Sequence, residues 1–334
     1  DREIQHIAEE ALQKFEIGTG AVVVLDTETS EILAMASVPE FSQMHPETSL
    51  DAADAPFVNR AITPYSVGSV FKAVVAAAAI ENGTDESYSY TCTGAYTIGE
   101  TVFQCHVHEG HGKQNLSAAT ANSCNPYFID LALHTGRENV CAMSENLGLG
   151  AKIELADGFY TKAGISPAAY TLTSSQDLAN FAFGQGELLA SPLQMTAVYA
   201  AIANGGIYRA PSLMKAIIDA SGEDVQRAFL PASRRAMSEE TAARVGALLN
   251  YTVENGSGRR AKPSNGTAAG KTATAQSGWF DENGVEVTQS WFCGYFPYET
   301  PRYAVTVLKE NGEGGSADCA PVFRYIAEEI LKLP

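Results

Sequence analysis

A serine and a lysine three residues apart begin the segment SVGSVFKAVVAAAAIENG, residues 66–83. Ser69 lies at or near the first turn of a predicted helix, where free backbone N–H groups and the helix dipole favour a developing oxyanion. Lys72 follows one turn later on the same face. A serine hydroxyl becomes a nucleophile when a base takes its proton, and lysine is that base only if burial or a second cation lowers its pKa well below about 10.4. The pair predicts either this acyl chemistry or a plain serine N-cap beside a solvent-facing lysine.

Spacing alone does not select Ser69, because Ser212 and Lys215 repeat the Ser-x-x-Lys pattern. Pro211 precedes that second serine, and the β-favouring segment AIIDA follows its lysine. We therefore predict a loop entering a strand there, without a helix N-terminus to hold an oxyanion. This context favours Ser69 as the reactive serine.

Two further elements carry polar groups that could join this pair in one site. Ser123-Cys124-Asn125 lies between two helical stretches, so a hydroxyl and a carboxamide can project from one short connection. Lys271, Thr272 and Thr274 follow one another along a predicted strand, with Ala273 between the threonines. Ser144-Glu145-Asn146 also spells Ser-x-Asn, and Lys-Thr pairs are common on exposed strands, so only the order and context of the elements give them weight.

Composition excludes several other functions. The chain has 334 residues, 45% of them hydrophobic and 18% charged, which is enough to bury a large core. A net charge of -17 opposes binding to nucleic acid or anionic lipid, and no long run of Lys and Arg offsets it. The longest strongly apolar run, residues 73–80, is far shorter than the roughly 20 residues of a membrane span. We expect a soluble folded protein without nucleic-acid partners.

The order of elements predicts an α/β (α+β) fold. Residues 20–26 and 31–38 flank a polar turn and predict a β-hairpin. Residues 69 to about 249 are predicted to be mostly helical, and strands return at residues 270–279, 290–297 and 303–310 before a last helix at 321–333. We expect one domain, residues 1–334, with an antiparallel sheet flanked by helices. Its α/β lobe is predicted at about 1–68 and 265–334, and its large helical lobe at about 69–264.

The three motifs, in this order and these contexts, resemble the active-site signature of penicillin-binding proteins and serine β-lactamases. Nearly the whole chain resembles the transpeptidase domain of class B penicillin-binding proteins. The segments that carry this resemblance are GAVVVLDTETSEILAMASVPEF, FVNRAI, GSVFK, SCNPYF, FGQGELLASPLQMTAVYAAIANGG, GKTATAQ and WFCGYFP. Two positions depart from the pattern, since Ala273 stands where the family usually has glycine and Val67 where it often has proline.

The resemblance implies a peptidoglycan D,D-transpeptidase. Ser69 would attack the carbonyl between the two D-alanines of a stem peptide, with Lys72 as base, and the N–H groups of Ser69 and Thr274 would form the oxyanion hole. Lys271 would help to keep Lys72 neutral and would attract the substrate carboxylate. The remaining motif side chains would complete the site: Ser123 as a proton donor, Asn125 on the donor amide, Thr272 and Thr274 on the carboxylate, and Ala273 lining the pocket. β-Lactam antibiotics would mimic the donor.

Hydrolysis of the acyl-enzyme needs a second base, for which Glu145 and Glu187 are candidates only by residue type. We therefore expect slow deacylation. A serine β-lactamase and a β-lactam sensor domain are the alternatives, since both share the acylation chemistry.

Cysteines and histidines cluster before the Ser-Cys-Asn motif, in the segment YTCTGAYTIGETVFQCHVHEGHG. Cys92, Cys105, His108 and His111 predict a structural zinc site, with His106 as a substitute ligand. Catalysis needs no cofactor. The alternatives are a Cys92–Cys105 disulfide or free thiols with surface histidines. The apolar contexts of the other cysteines considered predict core positions, namely Cys124, Cys141 and Cys293.

The resemblance also implies a cellular setting. The full protein would have an N-terminal membrane anchor and pedestal, absent from this chain, and would act at the extracytoplasmic face of a bacterial cell membrane. Its partners would be peptidoglycan stem peptides and a membrane glycan polymerase of the SEDS type.

Overall fold

The computed structural model describes residues 1–85, 87–227, 233–280 and 282–334. Within these ranges no helix combines the length and the apolar character that a membrane span requires.

In the described residues, strands near both ends of the chain are separated by a long middle segment that contains most of the helices. The α-helices are α1 (Arg2–Lys14), α2 (Lys72–Glu81), α3 (Leu116–Ala121), α4 (Asn125–Thr135), α5 (Arg137–Asn146), α6 (Ser175–Ala182), α7 (Pro192–Ala203), α8 (Glu239–Asn255) and α9 (Cys319–Ile330). The strands are β1 (Gly20–Asp26), β2 (Ile32–Val38), β3 (Tyr65–Ser66), β4 (Ser89–Cys92), β5 (Ala95–Ile98), β6 (Thr101–Gln104), β7 (Gly112–Asn115), β8 (Glu154–Ala156), β9 (Phe159–Tyr160), β10 (Leu189–Ala190), β11 (Ile207–Arg209), β12 (Ala216–Ile218), β13 (Asp224–Arg227), β14 (Ser233–Arg235), β15 (Ala269–Phe280), β16 (Glu286–Phe296) and β17 (Tyr303–Glu310). Short 3-10 helices cover Pro46–Ser49, Arg60–Ile62, Gly68–Phe71 and Arg259–Ala261.

A five-stranded sheet in the order β15-β16-β17-β1-β2 forms the centre, and every neighbouring pair is antiparallel. Both faces of this sheet are buried. Along β1, Ala21, Val23 and Leu25 pack in one hydrophobic cluster with α2 and α7, whereas Val22 and Val24 pack in a second cluster with α1 and α9. This alternation follows from the two-residue period of a strand. It explains why β1 reads as a continuous apolar run.

The predicted fold class and the main strands are confirmed. The hairpin of β1 and β2, the three late strands and the final helix all lie where the apolar patterns predicted them. The expectation of a mostly helical stretch at 69–249 is wrong in part, because pairs of short strands interrupt it. The pair β5·β6 closes at a turn where Gly99 has φ +59°, a conformation that glycine adopts readily. Such two- to four-residue strands are too short for their periodicity to be read from sequence.

Candidate active site

Ser69 lies in a tight turn held against a neighbouring loop. The turn is the 3-10 helix Gly68–Phe71, and α2 begins only at Lys72, so the serine precedes the α-helix that the sequence predicted for it. Gly68 has φ +60°, and its N–H donates to the carbonyl of Gly184 at 2.9 Å. A Cβ atom at Gly184 would lie 2.0 Å from the Gly68 carbonyl oxygen. The close approach of two glycines therefore fixes the turn that presents Ser69, which is half-buried.

Lys72 joins this turn to the Ser-Cys-Asn motif. Its side chain is fully buried, and its Nζ donates to the Ser123 carbonyl at 2.7 Å, to Ser123 Oγ at 3.2 Å and to Asn125 Oδ1 at 2.6 Å. Burial lowers the pKa of Lys72 from 10.5 to about 7, because the charged form loses its hydration. A neutral amine donates only two hydrogen bonds, so the Ser123 hydroxyl can then donate to its lone pair. The arrangement gives the lysine a proton-accepting state near neutral pH.

The connection between α3 and α4 holds the motif in a specific shape. Ser123 has φ +54°, which is uncommon for a residue with a side chain. Its N–H donates to Thr120 O at 3.2 Å, and the N–H of Cys124 donates to Ala119 O at 3.0 Å. These bonds lie at the end of α3, and the next helix begins at Asn125 with Pro126 in its first turn. The strained backbone turns the hydroxyl and the carboxamide towards the same amine.

β15 places a second lysine beside Lys72. Lys271 is fully buried and its Nζ donates to Thr272 O at 2.9 Å. Its pKa is lowered by burial and also by the charge of Lys72. Burial is the main cause of the lowered pKa of Lys72, and the expected help of Lys271 in keeping Lys72 neutral stays a prediction. The physical reason is that both amines lie in the same desolvated region.

The two threonines of β15 have different surroundings. Thr272 is buried and its hydroxyl donates to Ser257 Oγ at 3.0 Å, whereas Thr274 is exposed. Ser257 also donates its N–H to Ala121 O at 3.0 Å, and thereby joins β15 to the end of α3. Sequence reasoning missed Ser257. Its signal was weak, because Asn-Gly-Ser-Gly reads as an ordinary turn.

Ala273, the departure from the usual glycine, is buried against the Gly68–Phe71 turn. A Cβ atom at Gly68 would lie 3.4 Å from the Ala273 methyl group and 3.0 Å from that of Ala275. The extra methyl group therefore occupies space next to the turn. Val67 is fully buried beside it.

The alternative motifs lie in other surroundings. Ser212 stands before β12, where its hydroxyl donates to Met214 O and Lys215 pairs with Glu31 at 3.4 Å. The predicted loop-to-strand context is thus correct. Ser144 lies in the last turn of α5 and shares a hydrogen bond of 2.8 Å with Ser166.

Four ligand groups converge behind the Ser-Cys-Asn motif. The side-chain donor atoms of Cys92, Cys105, His111 and Cys124 all lie within 4.8 Å of one another. His111 Nδ1 is 3.3 Å from Cys105 Sγ and 3.8 Å from Cys92 Sγ. His108 is not in this group, although its spacing predicted it as a ligand, and Cys124 takes the fourth place. All six cysteines are free.

The position of Cys124 in the fold explains why it belongs to the cluster. Cys124 is the N-cap residue of α4 and is fully buried, so its predicted core position is correct, yet its thiol points into the cluster. A hydrogen bond between Cys124 and Cys105 lowers the pKa of the Cys105 thiol and raises that of Cys124. His106 lies beside the cluster, with its ring centroid 5.0 Å from that of His111. Cys141 and Cys293 are buried, as predicted.

The two carboxylates considered for hydrolysis, Glu145 and Glu187, are exposed. Glu187 belongs to the loop that packs on the Gly68–Phe71 turn through Gly184, whereas Glu145 lies in α5.

Comparison with known proteins identifies the family. Residues 20–328 match the family described as penicillin binding protein transpeptidase domain, and the chain belongs to this family. The predicted resemblance is thereby confirmed.

Individual relatives agree with this assignment. The crystal structure of the D,D-transpeptidase domain of a peptidoglycan glycosyltransferase from Eggerthella lenta is 31% identical, covers 99% of this chain and 81% of that chain, and superposes with a TM-score of 0.88. A ceftriaxone acyl-enzyme complex of penicillin-binding protein A from M. tuberculosis is 25% identical, covers 97% of this chain and 77% of that chain, and has a TM-score of 0.87.

Curated relatives are longer proteins. Stage V sporulation protein D of Bacillus subtilis is 28% identical over 99% of this chain and 52% of its own length. The peptidoglycan D,D-transpeptidase MrdA of Haemophilus influenzae is 28% identical over 93% of this chain and 53% of its own length. The chain thus spans about half the length of these two relatives.

Proposed function

We propose that this chain is a peptidoglycan D,D-transpeptidase domain that cross-links stem peptides through an acyl-enzyme on Ser69 and is acylated by β-lactams. The observation that carries the proposal is the buried Lys72 amine, which is bound to Ser123 and Asn125 one helical turn from Ser69. Relatives of similar sequence are named peptidoglycan D,D-transpeptidases. We further propose that the active site lies in the cleft between an α/β lobe, at about 1–68 and 265–334, and a helical lobe at about 69–264.

The first half-reaction forms the acyl-enzyme. Neutral Lys72 takes the proton of the Ser69 hydroxyl as its Oγ bonds to the carbonyl carbon of the penultimate D-alanine. The N–H groups of Ser69 and Thr274 hold the oxyanion, and each such donor is worth about 2.7 to 4 kcal/mol in other enzymes. Ser123 passes the proton to the leaving D-alanine amine. The C–N bond then breaks and the acyl-enzyme remains.

Substrate recognition uses the other motif residues. Asn125 holds the amide of the donor. Lys271 attracts the terminal carboxylate, which Thr272 and Thr274 hydrogen-bond, and Ala273 borders the pocket. The donor lies along the outer edge of β15, because an edge strand offers backbone groups to an extended peptide. The amine of a second stem peptide then attacks the acyl carbonyl, forms the new amide and releases Ser69.

We also propose a structural Zn²⁺ at the cluster of Cys92, Cys105, His111 and Cys124. Three thiolates and one imidazole are an ordinary ligand set for structural zinc, and the mutual distances of the donor atoms suit one small ion. Cys124 is the middle residue of the Ser-Cys-Asn motif, so its bond to the metal would hold Ser123 and Asn125 in place. The ion would supply rigidity only, since the serine chemistry needs no Lewis acid.

We propose further that the full-length protein is anchored in a bacterial cell membrane and acts on its extracytoplasmic face beside a glycan polymerase of the SEDS type. The length of the relatives supports this, because about half of each lies outside the matched region.

The nucleophile is tested by intact-mass measurement after treatment with benzylpenicillin. We expect one penicillin adduct on the wild type and on Ser212→Ala, which removes the second Ser-x-x-Lys serine, and none on Ser69→Ala. An adduct that survives Ser69→Ala would overturn the assignment.

The reaction class is tested with a thioester analogue of the D-Ala-D-Ala donor. We expect a D-amino acid acceptor to accelerate thiol release, and the penicillin adduct to persist for many minutes. Rapid loss of the adduct would instead identify a β-lactamase, and acylation without any transfer would identify a sensor domain.

A further inference from the structure

The tip of the hairpin formed by β15 and β16 carries large apolar side chains in water. Trp279 is 76% exposed and Phe280 is 64% exposed, and both belong to the strand that holds Lys271 and Thr274. Contiguous apolar groups exposed to water mark surfaces that bind a ligand or a partner. A tryptophan indole also has a flat face that favours stacking.

The backbone gives this tip a defined shape. Gln276 pairs with Thr288 and Phe280 with Glu286, so that residues 277–279 of β15 lie opposite Val287 alone. Gly278 has φ +74°, and the Trp279 N–H donates to Ser277 Oγ at 3.0 Å. A bulge of this kind redirects side chains away from the regular alternation of the strand. The direction of the Trp279 side chain therefore follows from this bulge in the backbone.

The order of groups along β15 sets the direction of the donor peptide. Lys271 and Thr272, which would bind the terminal carboxylate, come before Thr274, whose N–H would bind the oxyanion. The donor thus runs antiparallel to β15. Its part on the N-terminal side of the scissile bond continues past Thr274 towards the hairpin tip.

The distance along the strand matches the length of the stem. Trp279 follows Thr274 by five positions. At about 3.3 Å per residue this is at most about 16 Å. A pentapeptide stem has four residues before the bond that is cut, and these span about 14 Å when extended, followed by the lactyl ether of an N-acetylated amino sugar. The sugar end of the donor therefore falls near the hairpin tip.

We infer that Trp279, with Phe280 beside it, forms a stacking platform for the N-acetylated amino sugar that carries the donor stem peptide. This inference rests on the proposed transpeptidase function. The C–H face of the pyranose ring packs on the indole, which removes apolar surface of both from water. The platform gives the site a preference for stems still attached to their glycan over free peptides.

The test compares two donors, a free pentapeptide stem and the same stem on its disaccharide, by D-alanine release. We expect the wild type to prefer the disaccharide-linked donor in kcat/KM. Trp279→Ala should lower the ratio of kcat/KM for the disaccharide-linked donor to kcat/KM for the free stem at least fivefold. Trp279→Phe should keep most of this ratio, because the aromatic face is retained. Phe159→Ala, which removes an exposed aromatic from the separate β8·β9 hairpin, should leave the ratio unchanged.

The outcomes separate the inference from the proposed function. A wild-type ratio near one, or an equal ratio in Trp279→Ala and wild type, overturns the sugar platform while penicillin labelling and release from the free stem still support a transpeptidase. Failure of benzylpenicillin to label Ser69 overturns the proposed function, and the platform with it. A correctly folded Trp279→Ala is recognised by its penicillin labelling, so loss of the preference cannot be ascribed to misfolding.

Discussion

At the scale of single residues, the proposed chemistry depends on the protonation state of the Lys72 amine. A solvent-facing lysine at position 72 would be almost fully charged at neutral pH and would accept no proton. Burial lowers its pKa to about 7, and three oxygen partners hold its position. Its surroundings alone thus give this lysine the neutral form that the proposed role as a base requires.

The state of Lys72 predicts how acylation depends on pH. Because the pKa is lowered, the neutral, reactive form dominates above about pH 7 and is replaced by the charged form as the pH falls. We expect the second-order rate of penicillin acylation to fall about tenfold per pH unit on the acidic side of the midpoint. Stopped-flow measurement with a fluorescent penicillin gives this rate. Lys215→Ala, the lysine of the second Ser-x-x-Lys pattern, should retain the profile, and a rate independent of pH through this range would contradict the role of Lys72.

At the scale of elements, two glycines keep the Gly68–Phe71 turn and the loop at 183–187 in contact. Gly68 and Gly184 both have positive φ, and the carbonyl of Gly184 accepts a hydrogen bond from the Gly68 N–H. A side chain at Gly184 would press on the Gly68 carbonyl, whereas a side chain at Gly68 would press on Ala275 of β15. The position of Ser69 therefore depends on residues without chemistry of their own.

Gly184→Ala tests this contact. Its φ of +78° is strained for alanine, and the new Cβ would lie 2.0 Å from the Gly68 carbonyl oxygen. Gly83→Ala is a matched control, because Gly83 has φ +79° and open space around its Cβ position. Both should lose about 1–2 kcal/mol of unfolding free energy from the backbone. We expect Gly184→Ala to lose more unfolding free energy than Gly83→Ala. We also expect penicillin to acylate Gly184→Ala at least tenfold more slowly than Gly83→Ala. Equal stability and equal acylation in the two variants would refute the contact as the determinant.

At the scale of the whole molecule, the fold brings distant segments together at two places. The central sheet joins strands from both ends of the chain, since β1 pairs with β17 along its full length. The thiol and imidazole cluster joins the ends of β4 and β6, the segment before β7 and the start of α4. Stability and the geometry of the active site are therefore linked through long-range contacts.

Metal removal tests the second of these places. We expect about one zinc ion per chain by elemental analysis of protein purified without chelator. A strong chelator should lower Tm, and added zinc should restore it, because a ligand of the folded state stabilises by about 1.4 kcal/mol per tenfold excess over Kd. Cys92→Ser should abolish the chelator effect, whereas Cys141→Ser, a buried thiol outside the cluster, should keep it. Zinc below about a tenth of an equivalent would exclude the metal.

The main elements of this fold can be predicted from the sequence by itself. The five strands of the sheet and the last helix follow from local apolar periodicity, which each segment carries without help from its neighbours. The context of Ser212 is also predictable from its flanking residues, because the β-favouring residues after Lys215 predict the strand that begins at Ala216. The tertiary structure decided the rest: the buried state of Lys72, the contact of Thr272 with Ser257, and the replacement of His108 by Cys124 in the cluster. The reason is that burial and proximity depend on how distant segments pack, and that packing is not encoded in the spacing of any one motif.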